Sequence, residues 1–198
     1  MLKAIIFDFG GVFSVEADIK KFLQNNALKF KIDPEEVNKV SSAIWAEARL
    51  GKIDSNIFWQ KLGELVGMEE IEFKKYFIEN TTLIEHDLYD FVKYNLKNKY
   101  KLAILSNQIE SWLETVLEEN DFREVFDFVI TSYNTGLAKP DIAIYQKALE
   151  ILKLKAEECL FIDDLPQNLV PAQELGMQTI LFENYEQFLV DLNKILKN

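Results

Sequence analysis

The sequence lacks several features that would point to other classes of protein. Its single cysteine, Cys159, excludes a disulfide within the chain, and the apolar run that it begins favours a buried position. Its single histidine, His86, is expected at a helix start or on the surface. No segment approaches the roughly 20 apolar residues of a membrane span, and Asp8 interrupts the first apolar stretch without a small-residue cleavage site after it. We therefore expect no membrane segment, no signal peptide and a cytoplasmic location.

Positive charge is also scarce, since 22 Lys and Arg face 33 Asp and Glu and leave a net charge of -11. Such a field repels nucleic-acid backbones and anionic lipid surfaces, so neither is expected as a partner. A small anionic substrate is compatible with this charge, because local lysines, backbone N–H groups and a divalent cation can outweigh the global field. The composition, 48% hydrophobic and 28% charged, indicates a globular protein with a substantial core.

One apolar run near the start, residues 4–12, contains a carboxylate followed by two glycines. Its composition predicts a buried parallel strand with Asp8 at its carboxyl end. Ligands bind at that end of an open parallel sheet, where Gly10 and Gly11 allow a sharp turn that brings bare N–H groups close to an anion. Asp8 is therefore a candidate nucleophile or metal ligand, with a simple strand-end cap as the alternative.

Helical patterns without a convincing strand fill the next part of the chain, about residues 18–80. Asp33, followed by a proline and two acids, predicts one helix start. Asp54 or Ser55 predicts a second, and a third begins near residue 69. These helices indicate a small all-α module inserted after the first strand.

From about His86 onward, helical patterns alternate with short apolar strands. The strands are predicted at residues 101–105, 126–130, 159–162 and 179–182. Strands that alternate with helices imply right-handed crossovers and a parallel sheet covered on both faces. We therefore expect an α/β fold, a doubly wound Rossmann-like sheet of five or slightly more parallel strands with the helical insert.

Polar residues stand at or beyond the ends of these predicted strands. They are Asp8, then Ser106 and Asn107, then Lys139, and then the pair Asp163 and Asp164. Because parallel strands bring their carboxyl ends to one edge of a sheet, we expect a single site. Two adjacent carboxylates at a strand end repel each other unless a cation binds. The plainer alternatives are a helix N-cap for Ser106 with Asn107 and a solvated charge for Lys139.

Taken in this order, the residues resemble the motifs of the haloacid dehalogenase-like hydrolase superfamily, in its first subclass with a helical cap. Residues 7–12 match the first motif, 105–107 the second, Lys139 with Pro140 the third, and 161–168 the fourth. The resemblance implies a Rossmann-like core of residues 1–14 and 82–198 and a helical cap domain of residues 15–81. It also implies a monomer or homodimer that hydrolyses a small phosphorylated metabolite through an aspartyl phosphate, with Mg²⁺ as cofactor.

The same resemblance assigns expected roles to individual residues. Asp8 is the nucleophile, and Lys139 bridges it to the phosphate. The other phosphate-binding candidates are Ser106, the backbone near Asn107, the Gly10–Gly11 loop and Arg49 at the end of a cap helix. The expected metal ligands are Asp8, the Gly10 carbonyl and Asp164, with Asp163 beside it and Asn168 in support. Hard oxygen ligands of this kind suit Mg²⁺.

Gly10 departs from the pattern, because most phosphatases of this family carry a second aspartate there as general acid and base. Such assistance typically contributes about 10²- to 10⁴-fold, so its loss is expected to favour substrates whose leaving oxygen needs little protonation. Sugar 1-phosphates, acyl phosphates and aryl phosphates are of this kind. Two other functions stay open: a catalytically silent phosphate-binding protein, and a metal-free 2-haloacid dehalogenase in which Asp8 attacks carbon.

Overall fold

The computed structural model describes residues 1–14, 18–81 and 83–197, and these contain one sheet of five parallel strands. The strands are β1 (Ala4–Phe7), β2 (Lys101–Ser106), β3 (Phe128–Thr131), β4 (Cys159–Asp163) and β5 (Gln178–Leu181). Their order is β3-β2-β1-β4-β5, with β1 in the centre and neighbours in parallel register on both sides. The predicted doubly wound parallel sheet is confirmed.

The first strand is shorter than the apolar run that predicted it. β1 ends at Phe7, and the carbonyl of Phe9 then accepts backbone hydrogen bonds from Val12, Phe13 and Ser14 at 2.9 to 3.3 Å. The chain therefore makes a tight turn immediately after Asp8. Phe9 and Val12 in this turn are buried in the core although they lie outside the sheet.

Helices cover both faces of the sheet. Before β2 they are α1 (Ile19–Asn25), α2 (Ala27–Phe30), α3 (Pro34–Ala48), α4 (Ser55–Val66), α5 (Glu70–Thr81) and α6 (His86–Phe91), which continues as a π-helical turn, Val92–Leu96. Between β2 and β4 lie α7 (Glu110–Glu119), α8 (Phe122–Val125), α9 (Ser132–Thr135) and α10 (Ile142–Leu152). The last two are α11 (Pro166–Glu174) and α12 (Tyr185–Leu196). Among the described helices, none combines the length and the apolar composition needed to cross a bilayer.

Helices α1–α5 are called the insert helices below, and three of them, α3, α4 and α5, begin where the sequence signals predicted a helix start. The Asp33 carboxylate accepts from the N–H of Glu35 at 3.0 Å, and Asp54 accepts from the N–H of Asn56 at 2.7 Å. Asp54 rather than Ser55 is therefore the cap of α4. Each bond satisfies a backbone donor that has no partner within the helix.

Alternate residues of β1 pack into two different cores. Ile5 and Phe7 join an aromatic-rich cluster on one face of the sheet, whereas Ala4 and Ile6 join a second cluster on the other. Cys159 is buried in the second cluster as expected, and burial raises the pKa of its thiol to about 11. This environment favours a structural rather than a reactive cysteine.

A side-chain hydrogen bond connects the insert helices to the helix that follows β2. Trp59 on α4 is 1% exposed, and its indole N–H donates to the hydroxyl of Ser111 on α7 at 2.9 Å. The tryptophan is thus part of the core.

We expect Trp59→Phe to keep most of the ring packing but to lose this bond, lowering the free energy of unfolding by about 1 kcal/mol. Ser111→Ala should cost a similar amount, and the double variant should cost little more than either single one. Urea unfolding of the four proteins measures this coupling. Fully additive single-variant effects would show that the hydrogen bond contributes nothing.

Candidate active site

The predicted polar residues converge at the carboxyl edge of the sheet, where they line a cleft of about 520 Å³. Asp8, Ser106, Lys139 and Asp164 all reach this cleft from the core side. Asp163 lies directly behind it and is fully buried. The insert helices form the opposite wall.

Lys139 holds two carboxylates together at the bottom of the cleft. Its Nζ lies 2.8 Å from Oδ1 of Asp8 and 2.6 Å from Oδ2 of Asp163. All three side chains are almost completely shielded from solvent, and Asp8 Oδ1 also accepts from the N–H of Phe9 at 2.6 Å. The arrangement fixes the orientation of the Asp8 carboxylate.

Burial and charge act in opposite directions on these groups. Burial raises the pKa of Asp8 to about 7; the Lys139 cation opposes this rise and the negative charge of Asp163 adds to it. Burial alone would lower the pKa of Lys139, but the carboxylates of Asp8 and Asp163 outweigh it and hold the pKa above its ordinary value. The lysine is therefore a fixed positive charge beside Asp8 at neutral pH.

Asp163 has partners for both of its oxygens. Oδ2 accepts from Lys139, while Oδ1 accepts from the N–H of Leu165 and from the side-chain amide of Asn168, both at 2.9 Å. Tyr145 in turn donates its hydroxyl to the Asn168 carbonyl at 2.6 Å. Asn168 thus contacts Asp163, not Asp164 as the resemblance suggested, and Asp163 acts as an anchor for Lys139.

Asp164, unlike Asp163, has a carboxylate oxygen that is not used in a hydrogen bond to any residue that the structure describes. Its Oδ1 is buried without a hydrogen-bond partner among the described residues. Burial, and next the neighbouring Asp163, raises the pKa of Asp164. One oxygen from each of Asp8, Asp163 and Asp164 lies within 4.8 Å of the other two. This cluster of hard oxygen atoms fits a divalent cation such as Mg²⁺, with Asp164 and Asp8 the members least committed to other bonds.

The glycine loop brings the backbone close to that cluster. Gly11 has φ of +78°, and a Cβ built on it would overlap the Asp164 carboxyl group. Glycine is therefore required at position 11 both by the backbone conformation and by the space that Asp164 occupies. Gly10, beside it, lines the cleft.

The last residue of β2, Ser106, and the next residue, Asn107, have different roles. The Ser106 hydroxyl is buried and has no partner among the described residues, so it can donate to a bound anion. The Asn107 amide instead bonds the backbone of Lys139 in both directions, accepting from its N–H and donating to its carbonyl at 2.9 Å. Asn107 thereby fixes the loop that carries Lys139, and only its backbone N–H is left to contact a phosphate.

The opposite wall of the cleft is polar and positively charged. It comprises Asp18, Ile19, Lys20, Lys21, Ser41, Ser42, Trp45 and Arg49 from α1 with its N-cap residue, α3 and the residue that follows α3, so that three cations face one carboxylate. The Nε atom of Arg49 is buried, and within the described ranges no partner is found for it. The ion pairs found between described residues do not include Lys20, Lys21 or Arg49. These cations line the cleft and give its wall a positive charge that suits an anionic ligand.

The sequence analysis did not predict three features of the site: Gln108, the hydrogen bonds between the Asn107 amide and the Lys139 backbone, and the two lysines of α1. Gln108 lines the cleft and lies against Gly10. Its position two residues after Ser106, at the end of a predicted strand, was the available signal. Lys20 and Lys21 had none, because their approach to the site depends on how the insert helices pack.

Comparison with known proteins gives one family and several full-length matches. A family model for haloacid dehalogenase-like hydrolases matches residues 2–176. A D-ribitol-5-phosphate phosphatase of Bacteroides thetaiotaomicron is 28% identical over 208 residues, covering 100% of both chains. A sesquiterpene phosphatase of Aspergillus oryzae is 26% identical over 178 residues, 88% of this chain and 87% of that protein. A bifunctional epoxide hydrolase 2 of Sus scrofa is 35% identical over 106 residues, which are 50% of this chain and 19% of that longer protein.

Solved structures show the same fold. Two crystal structures of a HAD family enzyme from Bacteroides thetaiotaomicron match with TM-scores of 0.81 and 0.80 at 22% and 21% identity. The matches cover 95% of this chain and 98% and 99% of the others. The second of these structures is a complex with magnesium and inorganic phosphate.

The contact between Gly11 and Asp164 can be tested with a matched pair of variants. Gly11→Ala should weaken Mg²⁺ binding by about tenfold or more, because the new methyl group displaces the Asp164 carboxylate. Gly67→Ala is the control, since Gly67 also has a positive φ of +72° but nothing lies within 4 Å of its Cβ position. Both should lose stability through backbone strain, on the order of 1 kcal/mol. Calorimetric titration with Mg²⁺ would contradict this account if both variants bound the ion as the wild type does.

The raised pKa of Asp8 predicts a pH-dependent metal affinity. A cation favours the carboxylate form, so Mg²⁺ binding should release a proton below about pH 7 and strengthen as the pH rises towards that value. Above it, the Asp8 contribution should level off. Titration in buffers of different ionisation enthalpy measures the proton release, and Asp8→Asn should remove the part due to Asp8. An affinity and a proton release that do not change between about pH 5.5 and about pH 8 would contradict the assignment.

Proposed function

The chain belongs to the haloacid dehalogenase-like hydrolases, and on that basis we propose that it is a magnesium-dependent phosphatase for a small phosphorylated metabolite. The observation that most strongly supports the proposal is the set of groups around the Asp8 carboxylate. This buried carboxylate is held against Lys139. The Ser106 hydroxyl and one Asp164 oxygen line the same cleft and have no hydrogen-bond partner in the described part of the chain.

In the first step Asp8 attacks the phosphorus of the bound monoester. A bond forms between an Asp8 carboxylate oxygen and phosphorus, the bond from phosphorus to the substrate oxygen breaks, and its electron pair leaves with that oxygen. The leaving alkoxide or aryloxide then takes a proton from solvent. Lys139 keeps its proton throughout and balances the charge of Asp8 and the transferred group.

The remaining groups hold the phosphoryl oxygens and set their orientation. Ser106 and the backbone N–H of Asn107 can donate to them, and the glycine loop leaves room for their approach. Asp8, Asp164 and the Gly10 carbonyl would hold Mg²⁺, with Asp163 behind them as the anchor of Lys139. When bound, the ion supplies neutralisation of phosphoryl charge, and the magnesium and phosphate found in the fold neighbour support its inclusion.

We assign the insert helices to a cap domain, residues 15–81, over a core of residues 1–14 and 82–198. The polar wall with Lys20, Lys21 and Arg49 favours a polar, sugar-like phosphate over an isoprenoid one. The absence of an acid at Gly10 favours a leaving oxygen of low basicity. Sugar 1-phosphates meet both conditions and are the substrate class that we favour.

Two other functions compete with this proposal. A metal-free 2-haloacid dehalogenase would use Asp8 against carbon, and its turnover would not depend on Mg²⁺. A catalytically silent protein would bind phosphate without turnover. This alternative is kept because Gly10 stands where most phosphatases of the family have the general acid and base.

The test is hydrolysis of p-nitrophenyl phosphate and a panel of sugar phosphates with Mg²⁺ and with EDTA. We expect Mg²⁺-dependent turnover by the wild type, fastest with aryl and sugar 1-phosphates, and its loss in Asp8→Asn. The exposed Asp90→Asn on α6 is the matched control and should retain full activity. Gly10→Asp should raise turnover of alkyl phosphates by about 10²-fold or more.

Three results would count against the proposal. Turnover that persists in EDTA with a haloacid would favour the dehalogenase. No turnover by the wild type but recovery in Gly10→Asp would favour the binding protein. Unchanged alkyl phosphate turnover in an active Gly10→Asp would contradict the role given to position 10.

A further inference from the structure

Gln108 occupies the space that a side chain at position 10 would enter. Gly10 lies two residues after Asp8, and a Cβ built on it would lie 3.3 Å from Nε2 of Gln108. Gln108 is 8% exposed and lines the cleft beside Asp8. Because the glycine has no side chain, the amide of Gln108 can lie beside the backbone at position 10, in the cleft that Asp8 also lines.

The residues on either side of Gln108 are held in place by their own contacts, whereas the Gln108 amide makes no side-chain hydrogen bond within the described ranges. The chain on one side is fixed by the bonds of Asn107 to Lys139, and on the other side Ile109 is 1% exposed. Gln108 also borders a small apolar cavity of about 10 Å³, together with Trp45 and Trp112. Within the described ranges, no hydrogen bond of a side chain involves the Gln108 amide.

An amide can orient a water molecule although it cannot exchange a proton with it. The NH₂ group donates and the carbonyl oxygen accepts, so either end can bind water. Glutamine side chains orient the attacking water in other phosphoryl-transfer enzymes. Because the Gln108 side chain is buried beside Gly10, Trp45 and Trp112, its freedom of movement is already restricted and it loses less entropy when it orients a water.

We propose that Gln108 orients the water that hydrolyses the aspartyl phosphate on Asp8, which rests on the phosphatase function proposed above. In this step the water oxygen forms a bond to phosphorus and the bond from phosphorus to Asp8 breaks. The electron pair returns to the Asp8 carboxylate. One water proton stays on the new P–OH group and the other passes to a phosphoryl oxygen, so the product is dihydrogen phosphate. Gln108 takes no proton in the step.

The consequence is an unequal effect on the two half-reactions. Phosphorylation of Asp8 by an aryl phosphate requires neither the water nor a proton donor for the leaving group, so Gln108 has little part in it. Dephosphorylation requires a correctly placed water. Loss of the amide should therefore slow the second half-reaction selectively and cause the phosphoenzyme to accumulate.

The experiment is rapid-quench kinetics of p-nitrophenyl phosphate with the Mg²⁺-loaded full chain, comparing wild type, Gln108→Ala and Gln108→Met. Methionine keeps the length of the side chain but has no amide, so it separates hydrogen bonding from packing. The exposed Gln60→Ala on α4 is the matched control. We expect both Gln108 variants to release a burst of nitrophenol at the wild-type rate and then to turn over about 10²-fold more slowly. The accumulated species should be hydroxylamine-sensitive, as an acyl phosphate is.

The alternative outcomes separate the two proposals. Equal slowing of burst and steady state, or wild-type decay of the phosphoenzyme in Gln108→Met, would overturn the role of Gln108 and leave the phosphatase function intact. A wild type that forms no hydroxylamine-sensitive phosphoenzyme would overturn the phosphatase mechanism, and the role of Gln108 with it.

Discussion

The site depends on one buried cation between two buried carboxylates. Lys139 lies within 3 Å of both Asp8 and Asp163, in a place from which water is almost excluded. Removing charges from water is costly, and the cost is offset only when every partner is present and well placed. A substitution of Lys139 would leave the two buried carboxylates without their cation, so the chain has to hold all three side chains rigidly.

Much of the surrounding structure serves that requirement. Asn107 fixes the backbone of Lys139, while Leu165 and Asn168 saturate the oxygen of Asp163 that Lys139 does not reach. The parallel sheet places Asp8 directly after β1 and Asp163 at the end of the adjacent strand β4, so that one lysine can span both. With Asp163 fully committed, Asp164 is the carboxylate left to face a cation.

The sequence was sufficient to predict the strands and the convergence of the polar residues at their ends. Both follow from local signals, namely short apolar runs and the direction of parallel strands. It was not sufficient to show that Asn168 contacts Asp163, that Asn107 clamps Lys139, or that Gln108 fills the space beside Gly10. Those contacts depend on the direction of side chains from segments far apart in the chain. β1 ends at Phe7, within one residue of the end predicted at Asp8, and Phe9 and Val12 beyond it are buried by the turn rather than by the sheet.

The most direct test of the account is mass spectrometry of the enzyme quenched in acid during turnover of an aryl phosphate with Mg²⁺. The account predicts one added phosphoryl group on the peptide that contains Asp8, located on Asp8 itself and absent when the metal is chelated. Turnover with no modification of Asp8, or with the phosphoryl group on another residue, would contradict it.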